Sequence, residues 1–406
     1  MKRLITYIIV PILVWIALFL LFQTTYAYHF YYWEQHQLYL PTNVYTGDLG
    51  WLDCLSEWIT QWYFYLYAGP LILSFAITLT WTLFFHLGTN ITSGKISKGI
   101  VFKGILTIAL LIANIFIHFT DRNMLKVQLL AIILLLAIWC ASFFYRKLSY
   151  LGILALLAVC PFWDEIRFAL PNSDYETQLA VENEYYFGNY ERAEEIIVNA
   201  ERKSDMMIFY YNLMMAKREA LPDHLFDMPK QVLGTELTLD ENSPRAVFRI
   251  MPDFYYEVGD MTYAERASLL CMVFTRNNIY TPMMKRLVEI NLVSGDTLVA
   301  NKYLRILKQA PAYRHWAEMH TPGQMPPRIE QDILRRRQFV NVSDSIRLGA
   351  DSHAILERLL DTNKNNTVAL DYLLCTYMLE RNEQGFKNAF YKYATRTTEL
   401  YESGLR

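Results

Sequence analysis

Four carboxylates, Glu34, Asp48, Asp53 and Glu57, stand in one stretch of the chain that is crowded with aromatic side chains. Tyr26, Tyr28, His29, Phe30, Tyr31, Tyr32 and Trp33 lead into the first of them, and Gln35, His36 and Gln37 follow it. Acids beside stackable rings are what a glycan- or lipid-linked-sugar transferase needs, the carboxylate serving as general base or metal ligand. On that chemistry Glu34, Asp48, Asp53 and Glu57 are the catalytic candidates, and Tyr32, Trp33, Glu34, Gln35 and Gln37 would bind the substrate. The competing chemistry is an interfacial aromatic belt, with Tyr and Trp rings at headgroup depth and an amphipathic helix from about Asp48 to Gln61. The belt is the reading we favour, because it needs no convergence of distant groups. His29 and His36 have no third ligand near them, so no metal site is expected, and no cofactor motif is present.

The elements that must position this stretch follow from charge. The first 163 residues carry nine Lys/Arg and five Asp/Glu, whereas the rest carry 29 and 35, so net charges of +4 and −6 divide the chain. A bilayer core of about 30 Å takes roughly 20 apolar residues as helix, and a charge inside it costs a few kcal/mol. The sequence therefore predicts a transmembrane domain over 1–170, with spans at about 4–22, 63–87, 104–119, 127–145 and 149–168 and an outer loop at 23–62. Gly69-Pro70 would bend the start of the second span, and the fifth is short and contains Pro161. A cleaved signal peptide ending near Ala27 is the rival reading of the first run, disfavoured by its length.

Orientation follows from the short loops. Lys2, Arg3, Lys95, Lys98, Lys103, Arg146 and Lys147 fall on one side, against Arg122 and Lys126 on the other. By the positive-inside rule the N-terminus is cytoplasmic, and five spans place residues 171–406 in the periplasm of a bacterial inner membrane. Polar residues in the spans, such as His86, Asn114 and His118, do not cluster as they would along a transport path. The acidic second half offers no face to nucleic acid. The five dispersed cysteines read as buried small hydrophobes.

From about residue 172 the apolar residues recur at helical spacing, which predicts an all-α domain. Glycine-centred turns recur at Gly188, Gly259 and Gly295, and each is followed five residues later by alanine: Ala193, Ala264 and Ala300. These residues resemble the tetratricopeptide repeat, in which the glycine takes a left-handed turn and the small residue lets two helices close on each other. Helix Met206–Glu219 and a looser pair over Thr367–Ala394, turning at Gly385 ahead of Ala389, would extend the array. Tyr210, Tyr211, Tyr255 and Tyr256 are expected in the core. The segment Pro311–Arg337, with its run Arg335-Arg336-Arg337, breaks the period and reads as a solvated or headgroup-touching loop.

The fold expected is thus a bundle of about five transmembrane helices followed by a tetratricopeptide-like α-solenoid. Tyr32–Leu38, Phe254–Ala267, Tyr303–Ala317 and Asn366–Tyr377 resemble an uncharacterised bacterial family of multi-pass membrane proteins with a repeat-like tail. That resemblance implies architecture and no activity. Solenoids bind partners more often than they perform chemistry. A non-enzymatic envelope scaffold, contacting membrane lipid and a protein partner, is therefore the expected function, with the transferase as the alternative.

Overall fold

The computed structural model describes residues 8–35, 50–91, 124–145, 151, 173–235, 245–275, 280–340, 351–394, 398, 401–402 and 404. Among these the regular elements are all helices. They fall into two compact units, the first ending at Glu176 and the second beginning at Thr177.

In the first unit α1 (Val10–Thr25) is apolar all round and carries Pro11 at its start, where a missing N–H costs nothing. The backbone breaks from helix at Tyr26, φ −141°, and α2 (Ala27–Gln35) begins. Glu176 fixes that second start by accepting from the Tyr28 backbone N–H at 2.7 Å and lying 3.3 Å from the His29 ring. α3 (Trp51–Thr60) runs into a 3₁₀ turn (Gln61–Phe64), and α4 (Ala68–Ile91) and α5 (Met124–Phe144) complete the described part. Leu18 and Phe22 of α1, Phe30 of α2, Tyr63, Ile77 and Leu87 of α4 and Leu135 of α5 form one core.

Two helical segments here, Ala68–Leu87 and Leu125–Phe144, are long and apolar enough to cross a membrane. α1 has 16 residues, and the expected spans 104–119 and 149–168 lie outside the described residues apart from Leu151. The expected loop 23–62 is helical over much of its length. α1 persists to Thr25, and α2, α3 and the 3₁₀ turn follow. Gly69-Pro70 stands at the very start of α4. Pro70 sits in its first turn, and Gly69 is there because a Cβ would come within 2.6 Å of Phe30.

The second unit is a series of helix pairs. α6 (Ser173–Tyr186) and α7 (Tyr190–Asn199) turn at Gly188, and α8 (Asp205–Lys217) leads to the short α9 (Leu221–His224). α10 (Arg245–Val258) and α11 (Met261–Val273) turn at Gly259, and α12 (Thr281–Ser294) and α13 (Thr297–Leu307) at Gly295. The expected helix Met206–Glu219 is α8.

Each turn has a left-handed glycine, and at two of the three an aspartate caps the helix that follows. Gly188, Gly259 and Gly295 have φ of 81°, 96° and 88°. Asp260 and Asp296 then accept from the N–H three residues on, at 3.1 and 3.0 Å, and so satisfy orphan donors of the next helix. Ala193, Ala264 and Ala300 are fully buried where the paired helices meet.

The expected loop Pro311–Arg337 is instead two helices, α14 (Pro311–Met319) and α15 (Pro327–Arg337), each opened by proline in its first turn. α16 (Ser352–Thr362), α17 (Thr367–Leu379) and α18 (Glu383–Tyr393) follow. The last pair does not turn at Gly385. Arg381 takes the left-handed position, φ 58°, Asn382 caps α18 by accepting from Gly385 N–H at 2.9 Å, and the fifth residue after this turn is Phe386, not an alanine. Gly385 lies inside α18, where a Cβ would meet Tyr377 at 2.7 Å.

Residues Ala369 to Tyr377 of α17 are all buried, with Asp371 accepting from Tyr401 OH at 2.6 Å, so this helix is enclosed on every side. It packs on α16 and α18 and also on α8, α9 and α10. A solenoid repeat touches only its neighbours in sequence. The second unit departs from that rule, because its last pair returns to cover helices near its start.

Candidate functional site

The face of α10 that carries Arg249, Asp253, Tyr256 and Glu257 supplies the most concentrated polar chemistry of the second unit. These residues recur at four-, three- and one-residue steps, which places them on one side of the helix. Each meets the first helix of another pair. Arg249 donates from Nε to Glu182 Oε1 of α6 at 3.0 Å and closes a second bond to Oε2, and Tyr280 donates to the same carboxylate at 3.1 Å. Asp253 accepts from Arg286 of α12 at 3.1 and 2.5 Å, and Arg286 also donates to Glu289 at 2.6 Å. Glu257 accepts from Lys217 of α8 at 3.1 Å and from Arg336 of α15 at 3.0 Å.

Between these pairs lies the Tyr256 ring, with the Arg286 guanidinium 4.1 Å and the Arg336 guanidinium 4.6 Å from its centroid. Lys217 closes the other end by donating to Tyr190 OH at 2.9 Å. Glu182, Asp253 and Glu257 are buried, so desolvation is large and the ladder holds only because each carboxylate has a cation. Burial raises Glu257 while Arg336, Lys217 and Arg286 lower it, and the cations win, holding it at about 2. Burial pushes Asp253 above its usual range, against the pull of Arg286. Burial also drives the Cys271 thiol up to about 12, which removes it as a nucleophile.

A cleft of about 160 Å³ opens beside the Glu257 end of the ladder. Lys217, Tyr256 and Glu257 line it with Arg336 and Phe339, and the start of α17 forms the far wall. Asn366 holds that wall in place by donating to the Val258 carbonyl at 2.9 Å while capping α17 through Ala369 N–H. Every acid of the ladder is engaged by a cation. Among the described residues no group of three or more His, Cys, Asp or Glu side chains converges as a metal set.

The profile of a family of unknown function, DUF6057, matches residues 2–165 and 157–403. The chain belongs to that family. No curated protein and no solved structure matches it. The DUF6057 profile therefore covers both the apolar first half and the helix pairs that carry the ladder.

In this DUF6057 chain the aromatic stretch near the apolar helices is only partly described. Tyr32 is half-buried on α2, its ring 6.5 Å from His29. Trp33, Glu34 and Gln35 lie in the last turn of the same helix, while His36, Gln37 and Asp48 fall outside the described residues. Asp53 and Glu57 sit one turn apart on α3. Asp53 is paired with Lys126, one of the two basic residues that ran against the charge trend of the loops. Glu57 is 4% exposed.

The cysteines divide. Cys271 and Cys375 are buried as expected, Cys54 is half-buried, and Cys140 is exposed on α5. An apolar helix that is mostly uncovered leaves even small apolar side chains on its outer face.

Of the ladder the sequence singled out only Tyr256, as core, and Arg336, as part of a basic run. The ladder's signal is present as Arg249, Asp253 and Glu257 at four-residue steps, but such spacing also describes any solvated helix face. Only the partners on α6, α8, α12 and α15 distinguish the two.

Proposed function

We propose that this protein is a bacterial inner-membrane scaffold whose helical second unit docks another envelope component in the periplasm. The observation that supports membrane residence is the inverted burial of the first unit. On α3, Ser56, Glu57 and Thr60 face inward, while Trp51 and Trp58 are 67% and 49% exposed. The same holds elsewhere in the unit: Ile12, Leu13 and Leu20 of α1, Leu71 and Phe75 of α4 and Phe143 of α5 are exposed, while Ser74, Thr80 and Gln128 are buried, with Thr80 and Gln128 hydrogen-bonded at 3.0 Å. In water that arrangement would place a large apolar surface outside. In lipid it is the stable one, with aromatic rings at headgroup depth.

Docking is supported by the ladder. Its buried carboxylates tie α10 to α6, α8, α12 and α15 and so hold the helices rigid, as a preformed docking scaffold requires. Helix pairs that turn at Gly188, Gly259 and Gly295 favour binding over catalysis. A sugar-transferase reading keeps one supporting observation, the buried carboxylate of Glu57 on α3.

A reporter fused after Arg406 and active only outside the cytoplasm tests the topology. Activity there, with a silent cytoplasmic control, is the expected result, and the reverse pattern would move the second unit into the cytoplasm. Loss of function in Glu57→Gln, at unchanged protein level, would favour the transferase over the scaffold.

A further inference from the structure

α15 differs from the other helices of the ladder. Of its eleven residues only Ile333 is buried, and Leu334 is half exposed to solvent. Isolated helices of this length are marginal in water, so α15 depends on what it touches. Those contacts are few and mostly charged. Arg336 meets Glu257 and the Tyr256 ring, and Arg337 donates to the Leu292 and Val293 carbonyls at 2.8 and 3.0 Å, closing the C-terminus of α12.

The seat beneath α15 is matched to a cation. Asp253, Glu257 and Glu289 are offset by Arg286 and Lys217, so three carboxylates face two cations until Arg336 arrives. The cleft along the Arg336 edge means that the seat is not filled to core density. A short polar helix held by two arginines and one buried apolar side chain belongs to the low-stability end of a folded domain.

We propose that α15 is an exchangeable latch, and that the surface it covers on α10 and α12 is the docking site for a partner helix presenting an apolar residue followed three positions later by arginine. The partner replaces Ile333 and Arg336 in the same register, and Glu257 passes from one guanidinium to another without being left bare. The latch follows from the ladder alone. Only the incoming helix rests on the docking reading above.

Hydrogen exchange on the full-length protein in detergent tests both parts. α15 should exchange before α10 and α12, and Arg336→Gln should speed α15 by about tenfold or more while leaving the middle of α10 unchanged. A synthetic peptide with the sequence of residues 327–337, added in excess to Arg336→Gln, should restore protection to the last turn of α10, and the same peptide with glutamine at the position of Arg336 should not. Exchange of α15 in step with α10 and α12 would overturn the latch. Independent opening of α15 without protection by the peptide would overturn the docking site and leave the membrane-scaffold reading intact.

Discussion

Glu257 and Arg336 stand 79 positions apart in sequence and meet at 3.0 Å, tying the polar face of α10 to α15, a helix in which only Ile333 is buried. Lys217 takes the other oxygen of the same carboxylate, so one acid joins α8, α10 and α15.

The pair carries a pH signature. The carboxyl of Glu257 is held at about 2, below the ordinary 4.5, so its contribution is fully present above pH 4.5 and lost as pH falls toward 2. A depression of that size corresponds to about 3 kcal/mol. Glu257→Gln should cost roughly 3–5 kcal/mol at neutral pH, because two cations lose their partner. Denaturant melts of the two proteins should converge as pH is lowered from 5 to about 2.5. A gap that stays constant over that window would show that Glu257 carries no such charge.

The turn glycines are not equivalent. Gly188 and Gly259 both have positive φ, but a Cβ at Gly188 meets nothing within 4 Å, whereas at Gly259 it comes 3.2 Å from Phe339 Cβ and 3.4 Å from its carbonyl oxygen. Gly188→Ala should cost about 1–2 kcal/mol from the left-handed backbone alone. Gly259→Ala should cost distinctly more, and thermal unfolding should rank the two in that order.

In the first unit, Gly69 and Phe30 form a steric pair, since a Cβ at 69 would lie 2.6 Å from the ring. Gly69→Ala should destabilise the packing of α2 on α4 by roughly 1–3 kcal/mol. Phe30→Gly, harmful alone, should partly rescue it, because alanine would keep the Phe30 Cβ that also lies 2.6 Å away. Thermal stability in detergent checks this, and additive losses would argue against contact.

The outward indoles of α3 give a lipid readout. Brominated lipids should quench the native protein more than Trp51→Phe/Trp58→Phe, because both rings are exposed. Equal fractional quenching would place α3 away from the bilayer surface.

What the sequence revealed depended on the range of each signal. Gly188, Gly259 and Gly295 were legible because a left-handed turn selects glycine locally. The same turn at Glu219 and Arg381, with φ of 57° and 58°, was not, because other contacts hold an ordinary residue in that conformation. Tyr210, Tyr211, Tyr255 and Tyr256 are buried as their spacing implied. Arg336 read as solvated charge because its carboxylate partner is far away in sequence. Arg337 was equally hidden, since what it meets is backbone, which no side-chain pattern encodes. The acidic aromatic stretch was visible as composition, but whether its acids converge is not a local property.

α17 sets an order of events for the growing chain. Its nine enclosed residues, Ala369 to Tyr377, pack on α8, α9 and α10, which the ribosome makes more than a hundred residues earlier. Those earlier helices must wait with an apolar surface uncovered until the last pair arrives, a long-range closure that slows folding and exposes the intermediate to aggregation. A chain stopped short of residue 367 is consequently an open core, not a shorter stack of complete repeats.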